Sequence, residues 1–499
     1  MTLTPIWRTR IFAAVAAVVA VWLAASVAQG DFMFPLLCAA GIGALLLTQV
    51  QPLPLGTLLL GGVLVGYIAG SRGFAQLSLA GNLPLLPAEF VLLASGAMLL
   101  VQGAWRRELP FARDTLNVAL LLWMAVGVGR LVFDLRTFGF VAVRDFATVY
   151  YAAFFFLAQE AGRTAEGRRF LSRCLLGACL FVLVAYPFYL RFPEFFVSYL
   201  TLRGVPAILY KGDLVGTMLT FGAVLFFVRF ENDGRRGNLV ASLVLIAGAL
   251  ATNNRASMVG LGVATLWLAI ARRWRFAVVQ TICATTGVVL ILAAAYAANI
   301  PWEKTPVYGL YERVVSIADP LGRRAYESAN SVSKGDNNLF RAVWWRAVFD
   351  ETVAGNPYVG LGFGYDLSDQ FVREYYPDPT NEFTTRSPHN ILLTVFGRMG
   401  IAGLLPFLAI VGAVARHTYR AVRAISGDAA GLWCGAWVIF VSACFGVVLE
   451  GPMGAVVFWS ALGLANAATL AAREEEETSV AEAADLPATA RADEVARTP

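Results

Sequence analysis

Ser387-Pro388-His389-Asn390-Ile391-Leu392-Leu393-Thr394-Val395-Phe396 is the place where the longest polar stretch of the chain runs straight into an apolar one. Ser is a good helix N-cap and Pro is favoured at the first helical position, so the segment reads as a helix start with His389 in its first turn. The apolar run continues from residue 390 to about 415, longer than the ~20 residues that cross a bilayer. Upstream, residues 300–389 form the only long polar connection in the sequence. A loop of that length feeding a membrane helix sets the frame: helices in lipid with one substantial domain outside it.

The composition agrees. Of 499 residues, 58% are hydrophobic and 15% charged, against about 25% charged in a soluble domain. So few charges exclude a cytosolic multidomain enzyme and a disordered chain. The net charge of +5 is too small and scattered for a nucleic-acid-binding face. Apolar runs fall at 10–29, 33–50, 52–70, 84–103, 115–134, 138–159, 170–190, 213–230, 237–252, 256–272, 277–299, 390–415, 431–449 and 453–472. The pair at 33–70 is joined by Gln51-Pro52-Leu53-Pro54 and reads equally as one span plus a re-entrant piece. The expected fold is an all-α polytopic membrane protein of about 12–14 transmembrane helices. Its parts are an N-terminal transmembrane bundle (1–299), a loop domain (300–389), C-terminal transmembrane helices (390–472) and a disordered tail (473–499). The six cysteines all lie in apolar runs and read as small hydrophobes.

Charge sets the topology. Arg or Lys residues in alternating short connections number eighteen on one side and six on the other. Basic loops stay in the cytoplasm. Both termini are therefore expected inside and the 300–389 loop outside, in the periplasm of a two-membrane cell. All three lysines (Lys211, Lys304, Lys334) also fall outside.

Within the loop, residues 338–349 repeat apolar positions near the helical period, and Gly355-Asn356-Pro357 ends that helix. Gly360-Leu361-Gly362-Phe363-Gly364 follows, three alternating glycines suited to close backbone approach or unusual dihedrals. The spacing is not that of a dinucleotide fingerprint. The positive end of a helix disfavours imidazolium, so His389 is expected neutral near pH 7 and able to accept a proton. An interfacial histidine capping a helix is the plainer alternative. The second histidine, His417, reads as part of a solvated Arg-rich cluster. Arg255, in a tight outer hairpin, opposes both the inside rule and the helix dipole; an anion on the outer face would justify it, and so would snorkelling to the headgroups. Arg341 and Arg346 flank Trp344 and Trp345, a pattern shared with interfacial belts. Arg144-Asp145 within an apolar run reads as an internal ion pair. Arginine suits bidentate recognition of phosphate oxygens. One neutral base beside several arginines fits transfer of a group from a diphosphate to a hydroxyl. Asp366, Asp369 and Asp378 are scattered, which favours a metal-free route, with no cofactor.

His389-Asn390, nine residues, then Gly400-Ile401-Ala402-Gly403 resembles the most specific motif of the O-antigen ligase / polysaccharide polymerase superfamily of bacterial inner-membrane proteins. Arg341…Trp345…Gly360-Leu361-Gly362 matches the family's upstream pattern, and Asn254-Arg255-Ala256 echoes a third motif while departing from it at both flanks. The resemblance covers roughly 240–415. It implies a GT-C-type, metal-independent, inverting glycosyltransferase that uses a glycan on undecaprenyl diphosphate at the periplasmic leaflet. His389 would activate the acceptor hydroxyl, and Arg255 and Arg341 would bind the donor diphosphate. Asn390, Trp345, Arg346 and Arg386 are possible supporting residues; Gly360, Gly362, Gly400 and Gly403 are structural, the last two as a small-residue helix-packing face. Implied partners are a lipid-linked oligosaccharide or polysaccharide donor, a glycan or lipid A-core acceptor, and membrane lipids. A repeat-unit polymerase ranks nearly level with a ligase, and transfer to protein hydroxyls ranks third. A lipid-linked glycan flippase is the alternative from another class.

Overall fold

The computed structural model describes residues 53–78, 85–107, 111–202, 204–252, 254–319, 329–375, 385–424 and 429–485, with isolated positions before residue 53. Helices dominate. The sheet among the described residues is one small hairpin, β1 (Thr201–Leu202) antiparallel to β2 (Val205–Pro206). In chain order the first helices are α1 (Leu55–Gly70), α2 (Pro87–Arg106), α3 (Thr115–Phe138), the segmented α4 (Phe140–Ala161) and α5 (Ala165–Arg191). Then come α6 (Gly212–Asp233), α7 (Arg236–Ala251), α8 (Arg255–Ile270) and α9 (Arg275–Ala297). The loop domain holds α10 (Pro306–Ile317), α11 (Ala329–Gly355) and α12 (Asp369–Tyr375). The chain closes with α13 (Ile391–Arg423), α14 (Ala429–Ala443) and α15 (Pro452–Asp485).

Among the described residues eight helices are long and apolar enough to cross a membrane, and α1, α7, α8 and α14 are shorter apolar helices. Every expected run from 52–70 onward has its helix; the run at 33–50, and all but a few isolated helical positions of the run at 10–29, lie outside the described residues. The chain is an all-α polytopic membrane protein. Lipid leaves no water to satisfy backbone groups, so each crossing segment must close its own hydrogen bonds. The outward faces are apolar as lipid requires: Leu93, Leu100, Phe133 and Leu290 are all more than 60% exposed. The core sits among α3, α4, α6, α13, α14 and α15, where Trp123 stacks near Phe407 (5.1 Å) and Trp459 (5.9 Å). At the end of α3 away from the loop domain, Asn117 donates to Gln159 (3.0 Å), and Asn466 donates to the same Gln159 oxygen (2.7 Å). These bonds tie α3, α4 and α15 together.

Three expectations change. Helix α15 runs past Arg473 to Asp485, so residues 473–485 are helical rather than disordered. The Ala- and Glu-rich continuation has high helix propensity and extends a helix already nucleated in the bundle. Residues 486–499 lie outside the described set. His417 is only 2% exposed and its ring stacks on Trp433 (5.3 Å), because α13 stays helical to Arg423 and turns that residue toward α14. Asp145 does not pair with its neighbour Arg144, which is exposed; it pairs with Arg398 of α13 at 2.6 Å.

The predicted helix at 338–349 is the second half of α11, which ends at Gly355 as expected. Trp344, Ala347 and Val348 pack with Leu367 and Phe371 into a small core of their own, and the Trp344 indole N–H donates to the Leu367 carbonyl (3.1 Å).

Candidate active site

The glycine segment after α11 is locked into a break in α13. Gly400 has φ 60° and ψ −157°, so the helix interrupts there. The exposed backbone of the break pairs with the incoming segment. Leu361 N–H donates to the Gly397 carbonyl (2.7 Å) and Gly362 N–H to that of Arg398 (3.1 Å). On the far side, Ile401 N–H donates to the Pro357 carbonyl (2.8 Å) and Ala402 N–H to that of Tyr358 (2.9 Å). Gly360 and Gly362 take φ of +72° and +104°, and a Cβ on either would meet Arg398 or Asp134 at 2.6 Å. Gly400 is thus the breakpoint of the helix, not part of a helix-packing stripe. Gly403, one turn on, is buried against Met399.

Carboxylates of the N-terminal bundle fasten this junction. Asp134 accepts from Phe363 N–H (2.7 Å) and from Arg130 (3.0 Å). Asp145 accepts from Gly364 N–H (3.1 Å) and from the buried Arg398 (2.6 Å). Arg386 completes the clamp, donating to the Gly364 carbonyl (2.7 Å) and lying 3.6 Å from Asp145. A buried charge left unpaired is costly, so these pairs hold the loop domain in one register on the bundle.

The turn carrying His389 leaves this junction. Asn390, not Ser387, caps α13: its side-chain oxygen accepts from Leu392 N–H (3.0 Å) and Leu393 N–H (3.3 Å). His389 therefore precedes the helix, with φ of +56°. Ser387 instead donates to Glu450 (2.6 Å), as does Thr394 (2.5 Å), so one buried carboxyl grips the turn from both sides of His389. Burial raises the Glu450 carboxyl, and the two hydroxyl bonds oppose that rise. Trp344 meets the imidazole edge-on at 5.6 Å, and the Trp345 indole N–H donates to the Pro388 carbonyl (2.6 Å). The His389 imidazole is lowered to about 4, by burial first and then by the Arg341 and Lys211 charges, while Asp213 pulls the other way. A neutral imidazole was expected from the helix dipole; burial and two cations produce it.

Beside this turn lies a cavity of about 470 Å³ lined by Arg255, Arg341, Trp345, Asn254 and Asp213, among others. Asn254 caps α8 by accepting from Ala256 N–H (2.9 Å), which places Arg255 at the start of that helix, and Arg255 donates to Ser316 of α10 (3.3 Å). Arg341 projects from α11, where burial and then the charge of Arg255 lower its guanidinium below the ordinary range. Two like charges facing one cavity repel unless an anion joins them. His389 does not line it; it follows Pro388, whose carbonyl is held by the cavity-lining Trp345.

The structure brings His389, Arg255, Arg341, Trp345 and Asn390 together, and it places Arg386 in the clamp beneath them. Arg346 stays apart: its side chain is 84% exposed and pairs with Asp350 one turn along α11. Sequence reading gave Lys211 no role and missed Asp213, Asp134 and Glu450. The signal for Glu450 was present, since it is a carboxylate closing an apolar run, and such charges mark function or pairing.

A search of curated proteins returns no match. Residues 240–408, about a third of the chain, match the family model described as O-antigen ligase. The matched stretch spans Arg255, Arg341, the glycine junction and His389; it leaves out Lys211, Asp213 and Glu450. Over that stretch the chain is similar to the O-antigen ligase family.

Proposed function

We propose that this protein is a glycosyltransferase that moves a glycan from a polyprenyl-diphosphate donor to an acceptor hydroxyl. The work is done at the periplasmic face of a bacterial inner membrane, and both termini are cytoplasmic. The supporting observation is the cavity shared by Arg255 and Arg341 next to the His389 turn. The arginines hold the diphosphate. His389 takes the proton as the acceptor oxygen bonds to the anomeric carbon, and the bond from that carbon to the diphosphate oxygen breaks. The leaving diphosphate gains one negative charge, which the fixed guanidiniums stabilise without reorganising. They take the part a cation would otherwise play, so the proposed reaction needs no metal. Attack opposite the leaving group inverts the anomeric centre.

Arg341→Lys keeps the charge but loses the planar fork that matches two phosphate oxygens. We expect turnover to fall roughly 30- to 100-fold, corresponding to ~2–3 kcal/mol of lost transition-state contact. Equal donor affinity and turnover in this variant would assign Arg341 to the interface belt.

The low imidazole value gives a pH signature. An ordinary histidine base loses activity as pH falls through about 6.5. A base held at about 4 remains neutral down to that pH. The kcat/KM profile, which reports the free enzyme, should be flat from neutrality to about pH 5, and its acid limb should be missing from Asn or Gln replacements at position 389. An acid limb centred near 6.5 in the parent would mean that the base is a different group or that the imidazole is solvated.

A ligase-like acceptor, the hydroxyl of a lipid A core or glycan, is the reading favoured here. The lipid-linked material in a deletion strain decides it. Full-length polymer on the lipid with an unmodified core supports ligation; single repeat units on the lipid indicate polymerisation.

A further inference from the structure

Part of the cavity wall comes from outside the family-matching residues. Lys211 and Asp213 flank the first residue of α6 and form an ion pair of 3.1 Å, part-exposed on both sides. Asp213 and Gly212 both line the cavity with Arg255 and Arg341. Asp213 is held through both its side chain and its main chain. Its Oδ1 accepts the Leu214 N–H (2.9 Å), and its main-chain carbonyl accepts from the Asn254 amide next to Arg255. That placement puts one negative charge into a site whose other lining charges, Arg255 and Arg341, are positive, with Lys211 paired to the carboxylate beside it.

Resting on the reading of this cavity as a diphosphate site, we propose that Asp213 is a displaceable internal anion. It holds Lys211 when no diphosphate is present and yields it as a third phosphate ligand when one binds. The consequence is asymmetric across the reaction. A glycan-bearing diphosphate diester carries one charge fewer than the diphosphate monoester left after transfer. A fixed carboxylate in the wall repels the product more than the donor. Asp213 thereby trades affinity for release, and lets three cations serve the transition state without trapping what they stabilise.

The test uses the full-length protein in detergent and farnesyl diphosphate as a soluble probe of the product-like diphosphate, with affinity read by calorimetry at low and high salt. D213N is nearly isosteric and keeps both the Leu214 and Asn254 contacts. It should bind the probe roughly three- to tenfold more tightly, the scale of a part-exposed charge pair, and the gain should shrink in high salt. K211Q should weaken binding by a similar factor. In turnover assays D213N should show lower kcat with KM for donor also lowered, as expected when product leaves slowly. Unchanged or weaker probe binding in D213N, or K211Q binding like the parent, overturns the proposal while leaving the diphosphate site intact. Probe binding that survives R341Q together with R255Q overturns both the proposal and the cavity reading it rests on.

Discussion

His389→Ala should abolish glycan transfer while the protein remains inserted and folded. General-base catalysis contributes about 10²–10⁴-fold, so residual turnover is expected below one part in a hundred. Structure should survive because the turn is fixed by other groups. Asn390 caps α13, Ser387 and Thr394 hold Glu450, and Trp345 holds the Pro388 carbonyl. The imidazole adds one edge-on contact with Trp344. Removing it also relieves the positive-φ strain of a non-glycine residue only slightly, since Ala carries the same Cβ. Size-exclusion behaviour and farnesyl diphosphate binding should match the parent. Transfer at parental rate would remove the base assignment; loss of monodisperse protein would make His389 a structural residue.

Gly400→Ala is expected to be severely damaging for a single-methyl change. The backbone there has φ 60° and ψ −157°, a conformation essentially reserved for glycine. A Cβ would also collide with the Tyr358 carbonyl and with the Gly360 nitrogen, backbone atoms that cannot step aside. Dihedral strain and backbone displacement together should cost more than ~4 kcal/mol, enough to undock residues 357–364 from α13. The expected result is little folded protein, or a fall of more than ten degrees in detergent melting temperature. Gly412→Ala in the same helix is the control: nothing lies within 4 Å of its added Cβ, and helix propensity predicts a neutral or slightly stabilising change. Similar behaviour of the two variants would show that the break at Gly400 is not required.

Much of this architecture was legible in the sequence because it rests on local rules. Length and apolarity located α1 to α9 and α13 to α15, and Gly355-Asn356-Pro357 marked the end of α11, while α10 and α12, short helices inside the polar loop, carried no such signal. The alternating glycines announced positive φ and close backbone approach, which Gly360, Gly362 and Gly364 display. What was hidden depends on partners far apart in the chain. Asp145 looked paired to Arg144 because adjacency was the only available evidence; its partner lies 253 residues away. Gly400 fitted a helix-packing motif by spacing, and only the docked segment from 357 explains why the helix breaks there. The cap moved from Ser387 to Asn390 because Glu450 claims the serine hydroxyl from a different helix connection. Lys211 was placed on the outer side but given no role, and Asp213 passed unnoticed, since an acid in a first helical turn is ordinarily read as a dipole contact.

The most direct test of the account asks whether the bond between glycan and diphosphate is broken by this protein. Purified protein in proteoliposomes, supplied with a lipid-linked oligosaccharide and a hydroxyl acceptor, should release free polyprenyl diphosphate in step with glycosylated acceptor, and the His389→Ala protein should release none. Movement of intact lipid-linked glycan across the bilayer with no diphosphate released would contradict it and identify a flippase instead.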